Sequence, residues 1–229
     1  MKKFGCVLDE SFEKELRASE KTKKNTWKKR LYYPVFKRFA DIGCSLVALI
    51  FLTILFPFIY IAIKVESKGP VIFTQLRVGQ FGNLFKIYKL RTMYQDAEEH
   101  IEKSVFKNKK MPFIQHDHDP RVTKVGHFLR KFSIDELPQL FCVLRGTMSF
   151  IGPRPYIPEE TSVLTKEQLR RLTVKPGLTG LAQINGRGHI PLEDRINYDL
   201  EYIDTMSAWL DIKILWKTIW SVLIKDHGM

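Results

Sequence analysis

"IGCSLVALIFLTILFPFIYIAI", residues 42–63, is the stretch on which the fold turns. Its 22 residues carry no charge and lie between Asp41 and Lys64. As a helix it extends about 33 Å, against roughly 30 Å of bilayer hydrocarbon. A buried helix of a soluble protein is rarely apolar on every side at this length, so the segment is expected to enter a membrane. Whether it crosses is a separate question. Residues 21–40 hold eight Lys or Arg and no acid, and residues 64–91 hold six Lys or Arg with Glu66 as the one acid. Both flanks therefore favour the cytoplasmic side. Pro57 removes the hydrogen bond its N–H would give to the Thr53 carbonyl. Two readings stay open: a helix broken at Pro57 that returns to the same face, and a kinked helix that spans.

The 229 residues are 45% hydrophobic with a net charge of +12. That is enough apolar material for one domain with an appendage. The charge asks for an anionic partner. Nucleic acid is a poor candidate, because no helix-turn-helix, RNA-recognition or zinc pattern accompanies the charge and the apolar segment argues against it. Cys6, Cys44 and Cys142 are odd in number and too scattered for a disulfide framework or a zinc site, which fits a reducing compartment. The first twenty residues lack an apolar run long enough for a signal peptide.

Beyond the apolar segment, residues 71–76 and 84–90 predict the strands of a β-hairpin, joined through Gly79, Gly82 and Asn83. Lys86, Lys89 and Arg91 on its second strand either line a phosphate site or guard a sheet edge. Residues 95–118 are polar and predict a short helix with a loop, and "HDHD" at 116–119 matches no standard metal spacing. "RVTKVGHFLRK" predicts a basic helix, and "LPQLFCVL" an apolar helix stopped by Gly146. "GPRP" at 152–155 holds Arg154 between two prolines, so its guanidinium loses little entropy on gripping a phosphate or a base. "KPGLTGLAQINGRG", residues 175–188, fits neither a P-loop nor a dinucleotide fingerprint. Its backbone N–H groups either cradle an anion or the stretch is a loop between helices. In the tail, Trp209, Ile212, Trp216, Ile219, Trp220 and Leu223 share one helical face, with Lys213, Lys217 and Lys225 away from it. Such a face suits a membrane interface or a protein core.

"FSIDELPQL", residues 132–140, contains the adjacent acids Asp135 and Glu136. Ser133 and Glu136 read as a capping box, acids suit a first turn, and Pro138 fits near a helix start. Taken alone, these residues favour capping over chemistry.

Together, "KRFADIGCSLVALIFLTILFPFIYIAIK", "GPVIFTQLRVG", "FKIYKLRTM", "DPRVTKVGHFLRKFSIDELPQLFCVLRGTMSFIGPRP" and "KPGLTGLAQINGR" resemble the bacterial sugar transferases, monotopic polyprenyl-phosphate phosphoglycosyl transferases. The resemblance spans roughly residues 34–224, in the small form without an upstream four-helix membrane domain. Some small relatives break the membrane helix with a Ser-Pro pair, where this chain has Phe56-Pro57. The resemblance implies an α+β, mainly helical fold: a re-entrant membrane helix broken at Pro57, a β-hairpin, and interfacial amphipathic helices around a compact cytoplasmic catalytic domain. The corresponding divisions are a basic extension (1–33), the membrane-inserted helix (34–65) and the catalytic domain (66–229).

The reaction it implies moves a phosphosugar from a UDP-sugar to undecaprenyl phosphate with release of UMP, initiating capsule, O-antigen or exopolysaccharide synthesis. Asp135 would be the nucleophile that carries the phosphosugar, and Glu136 its acid–base or metal-supporting partner. Magnesium is the implied cofactor, with Asp135 as its contact. Arg130, Arg154 and Lys89 are expected at phosphate or nucleotide, with Pro153 and Pro155 shaping that site. The expected location is the cytoplasmic face of the bacterial inner membrane, with membrane lipids as partners, no nucleic acid, and homodimer formation left open. The residues also leave open a membrane-anchored nucleotide-sugar binding or assembly protein, and a hydrolase using the same nucleophile with water. A helix N-terminus is expected to keep Asp135 ionised.

Overall fold

The computed structural model describes residues 7–26, 32–95, 119, 121–186 and 190–223. The HDHD histidines, the predicted short helix and loop before them, and Lys225 lie outside these residues. Asp119, the last residue of HDHD, forms an ion pair with Arg121 at 2.6 Å.

Helix α1 (Glu10–Thr26) starts where the Asp9 carboxylate accepts from the N–H groups of Ser11 and Phe12, a side-chain N-cap. Phe12 and Leu16, one turn apart, are buried against Val78, Phe81 and Leu172. The basic extension is thus partly a docked helix. Leu16→Ala is expected to remove about 2–4 kcal/mol of that docking. Limited proteolysis should then cut residues 7–26 faster, while the rest of the chain keeps its digestion pattern.

Helix α2 (Tyr32–Glu66) runs unbroken through Pro57. The Thr53 hydroxyl donates to the Leu49 carbonyl at 2.8 Å, so it serves the turn before the proline. Asp41, Ser45, Leu52 and Ile63 are buried along one stripe, whereas Phe39, Ile50, Phe51, Ile54 and Phe58 stand exposed. Of its most apolar window, 11% is buried, which separates it from a core helix of a soluble protein. Both ends are nevertheless fastened to the rest of the chain. Arg38 donates to the carbonyls of Val143 and Leu144, and Asp41 accepts from Ser149 and the Phe150 N–H. At the other end Glu66 accepts from the Lys124 and Val125 N–H groups.

Strands β1 (Ile72–Val78) and β2 (Leu84–Leu90) pair antiparallel, Ile72 with Leu90 through Val78 with Leu84. The predicted hairpin is present, its turn tightened by a 3₁₀ segment at Gln80–Gly82. Helix α3 (Lys124–Lys131) is capped by the Thr123 hydroxyl, which accepts from the Gly126 N–H. A 3₁₀ helix (Ile134–Gln139) follows and continues into α4 (Leu140–Arg145). Gly146, at φ 81°, ends α4, as read from the sequence. Phe85 and Ile87 of β2 pack on Cys142, Val143 and Met148 beneath.

Strand β3 (Ser149–Ile151) leads into Gly152–Pro155, then α5 (Pro158–Ser162) and a 3₁₀ segment (Gln168–Thr173). Strand β4 (Gly177–Thr179) pairs parallel with β3. This corrects the reading of a loop over residues 177–179; Arg187 and Gly188 of the stretch 175–188 lie outside the described residues. The Gly177 N–H donates to the Pro153 carbonyl, and the Gly152 N–H to Thr179, so those donors are spent within the sheet. A Cβ on Gly177 would lie 2.1 Å from the Gly152 backbone nitrogen; glycine is there for close approach of two chains.

Helices α6 (Leu181–Ile184), α7 (Leu192–Thr205) and α8 (Ala208–Leu223) complete the fold. Tyr202, Met206 and Ile214 are buried with Ile151 and Leu181. The core of α8 is therefore centred on Ile214, while Trp209, Ile212, Trp216, Ile219 and Trp220 face outward. Of the two readings of that aromatic face, the core is excluded.

Candidate active site

Lys89 follows Ile87 by two residues, so it shares the inward face of β2 and is aimed at the 3₁₀ helix carrying Asp135 and Glu136. Its Nζ lies 2.8 Å from Glu136 Oε1. That places Lys89 in the site. Arg91, which the sequence allowed at phosphate, instead donates to the carbonyls of Ser67 and Lys68. It ties down the chain leaving α2.

The acidic pair is not a capping box. Ser133 sits at φ 56°, in the left-handed region, and its side chain caps nothing. A non-glycine residue held there carries backbone strain, which gathers at functional sites. Glu136 reaches away from Ser133 and accepts from Lys89 and from Arg154 Nη2 at 3.2 Å. With three residues per turn, Asp135 points about 120° away from Glu136. Asp135 is 8% exposed, and among the described residues no donor bonds its carboxylate.

Environment separates the two acids. Burial, and then the neighbouring Glu136 charge, push Asp135 from 3.8 up to about 6, against the pull of Lys89, Arg130 and Arg154. Loss of water outweighs the dipole of one short 3₁₀ turn and raises the carboxyl rather than lowering it, yet at about 6 Asp135 is still ionised at neutral pH. Burial also opposes the Glu136 charge, but Lys89 and Arg154 outweigh it and hold that carboxyl well below its ordinary range. Arg130 donates from Nε to the Thr92 hydroxyl at 2.9 Å. Arg130 is half-buried, and Asp135 heads the acids acting on it.

Arg154 is placed by its own backbone. Its carbonyl accepts from Arg171 Nη2 at 2.7 Å, and that guanidinium pairs with Asp199 at 2.6 Å. Arg171 and Asp199 are both fully buried, and the Arg171 guanidinium lies 3.5 Å from the Tyr156 ring centre. Pro155 offers its carbonyl to Arg77 Nη1 at 3.1 Å, as Pro153 does to Gly177. The two prolines thus shape the turn through their carbonyls. The structure brings together Asp135, Glu136, Lys89, Arg130 and Arg154, while Pro57 belongs to the membrane helix elsewhere.

Sequence reasoning missed Arg171, Asp199 and Arg77. Asp199 left one signal: in α7 it falls on the buried stripe with Ile196, Tyr202 and Ile203, and a charge on an apolar face demands a partner.

Among the described residues no three His, Cys, Asp or Glu side chains cluster to hold a metal. Magnesium, however, is ordinarily held through one or two carboxylates plus substrate phosphates and water. The unclaimed Asp135 carboxylate fits that role, whereas Glu136 is already committed to two cations.

The family model described as bacterial sugar transferase matches residues 32–225. The Klebsiella pneumoniae UDP-glucose:undecaprenyl-phosphate glucose-1-phosphate transferase is 44% identical over 202 residues, covering 85% of this chain and 41% of that protein. The galactosyl transferase CpsE of Streptococcus agalactiae is 42% identical over 193 residues, covering 83% and 42%. The sugar transferase EpsL of Bacillus subtilis, itself uncharacterised, is 38% identical over 192 residues, covering 84% and 89%. The chain spans about two fifths of the length of the first two relatives and most of the third.

Proposed function

Because this chain belongs to the bacterial sugar transferase family, we propose that it transfers a phosphosugar from a UDP-sugar to undecaprenyl phosphate, carrying it on Asp135 between donor and acceptor. The observation that carries this reading is an unclaimed, buried carboxylate beside a second acid already neutralised by Lys89 and Arg154.

In the first half-reaction an Asp135 oxygen attacks the sugar-bearing phosphorus of the donor. A phosphorus–oxygen bond to Asp135 forms and the bond to UMP breaks, with its electron pair leaving on UMP. In the second, an oxygen of undecaprenyl phosphate attacks the same phosphorus and the Asp135 carboxylate departs. Nothing in either step requires a proton from Glu136. Held ionised and paired, it is a poor general base; it fixes Lys89 and Arg154 where the donor's phosphates need positive charge. Arg130 faces the reacting phosphoryl group from the Asp135 side. Magnesium, held by Asp135 together with donor phosphates, would supply further positive charge.

The helix is not broken at Pro57 as expected, so a re-entrant course for α2 would have to come from a bend there; that course is supported by its attachments. Arg38 and Asp41 near one end, and Glu66 at the other, hold the same body. A crossing helix would carry one end about 30 Å away. The basic flanks then lie on the cytoplasmic face of the inner membrane, and the exposed Trp209, Trp216 and Trp220 suit the headgroup level.

The test is a screen of UDP-sugars for UMP release by the purified chain with magnesium, with and without undecaprenyl phosphate. Multiple turnovers only with the lipid support the transferase. Sustained release without it identifies a hydrolase, and binding without release a non-catalytic assembly protein. The relatives are named for glucose and galactose; the screen identifies the sugar for this chain.

The acid limb offers a second check. An Asp135 carboxyl near 6 must lose its proton to attack. The kcat/KM for the donor, which reports free enzyme, is expected to rise about tenfold per pH unit below 6 and level off above. Glu136→Gln removes the like charge, so the limb should move to lower pH even as the rate falls.

A further inference from the structure

Arg77 is a half-buried cation beside the site that the proposed mechanism leaves unused. It lies near the end of β1, two residues past Gln75, and its side chain is 14% exposed. It borders the same cleft as Lys89, Glu136, Arg154 and Pro155. Nη1 donates to the Pro155 carbonyl at 3.1 Å and Nη2 to Gln75 Oε1 at 2.6 Å. Among the described residues its paired carboxylate, Glu160, stands 3.8 Å off, and its buried Nε–H has no acceptor. Arg171, by contrast, has Asp199 at 2.6 Å. Burial, and then the facing Arg154, lower the affinity of Arg77 for its proton to about 10. A guanidinium held beside another, with its counter-ion at arm's length, is short of one anion.

The position says which anion. Arg77 lines the cleft together with Lys89, Glu136 and Arg154, whereas Arg130, bonded to Thr92, is not among the residues lining it. Arg130 and Arg77 therefore approach the acidic pair from different sides. A diphosphate with its sugar-bearing phosphorus at Asp135 places its other phosphate on the Arg77 side. We infer that Arg77, braced by Gln75 and the Pro155 carbonyl, binds the nucleotide-side phosphate of the donor and holds it as UMP leaves. This rests on the proposed transfer from a nucleoside-diphosphate sugar and assigns a residue to the leaving group.

The experiment is calorimetric titration of the full chain with UMP and with uridine, which differ by the phosphate alone. Losing a charge-assisted contact weakens binding about 10- to 100-fold. Arg77→Gln is expected to weaken UMP by that factor and leave uridine unchanged; Arg77→Lys should recover part of the loss, as a point charge without the fork. Equal weakening of UMP and uridine would show that Arg77 only supports the fold, and unchanged UMP binding would overturn the assignment outright. If Arg77→Gln does not fold, Glu160→Gln decides. It keeps the acceptor for the Ile157 N–H but removes the competing charge, so UMP should bind more tightly; weaker or equal binding counts against the inference. UMP binding does not depend on Asp135 chemistry. A phosphate preference that rests on Arg77 in a chain forming no Asp135 adduct would sink the transfer mechanism and leave this site standing.

Discussion

Asp135→Asn is expected to cut UMP release from the correct UDP-sugar by on the order of 10⁴-fold, the scale on which covalent enzymes lose their nucleophile. The same substitution is expected to stabilise the fold. Burial and Glu136 raise the Asp135 carboxyl from 3.8 to about 6, so the ionised form strains the folded state by on the order of 3 kcal/mol. The sign follows from the acid being raised. Below pH 3.8 the carboxyl is neutral in both folded and unfolded chains, and the strain is absent. It grows between 3.8 and about 6 and is fully present above. Thermal melting in the detergent or lipid used for purification should show the variant several degrees higher at pH 7.5 and level with the parent below pH 4. A variant that is inactive and less stable at pH 7.5 would mean that Asp135 holds the structure rather than performs chemistry.

Asp199→Asn is expected to give the largest loss of stability of any single change near the site. It leaves the Arg171 guanidinium buried without its carboxylate, a cost of about 3–5 kcal/mol. For a chain of this size each kcal/mol lowers Tm by roughly 2–4 °C, so a drop of about 6–20 °C should be measured. Activity should fall too, because Arg171 also donates to the Arg154 carbonyl. The double change Asp199→Leu with Arg171→Met separates the two effects. Replacing both charges by apolar groups of similar volume recovers much of the stability. It does not restore the donor to Arg154, so the donor KM should stay raised. Recovery of both together would show that the pair serves stability alone.

The membrane helix was legible because twenty-two uncharged residues admit few alternatives. The hairpin was legible too, from its alternation and its Gly-Asn turn, and so was the stop of α4 at Gly146. These are local signals, set by propensity and by φ. Pairing of β3 with β4 was not legible, since three-residue strands 28 positions apart in register leave no periodicity to read. Their close approach is visible in sequence only as glycines, which equally suggest a loop. Within the site, Lys89 was singled out on its strand and Arg154 between its two prolines, while Arg130 and the nucleophile's role of Asp135 came through resemblance and the pairing of Glu136 with Lys89 and Arg154 from geometry. Ser133 promised a cap, but its left-handed backbone turns Glu136 to Lys89 and Arg154. Arg91 resembled Lys89 in sequence, yet burial beside the end of α2 turned its guanidinium to carbonyls. Arg77 was hidden by lying on a strand among exposed residues, where nothing marks a cation as short of an anion.

Labelled UDP-sugar, supplied to the purified chain with magnesium and no lipid acceptor, tests the central claim most directly when the trapped protein is digested and its peptides sequenced by mass spectrometry. One phosphosugar should be found on the peptide carrying residues 132–140, at Asp135, and should leave on addition of undecaprenyl phosphate. Label at any other residue, or none in a chain that still turns over with the lipid, would contradict the account.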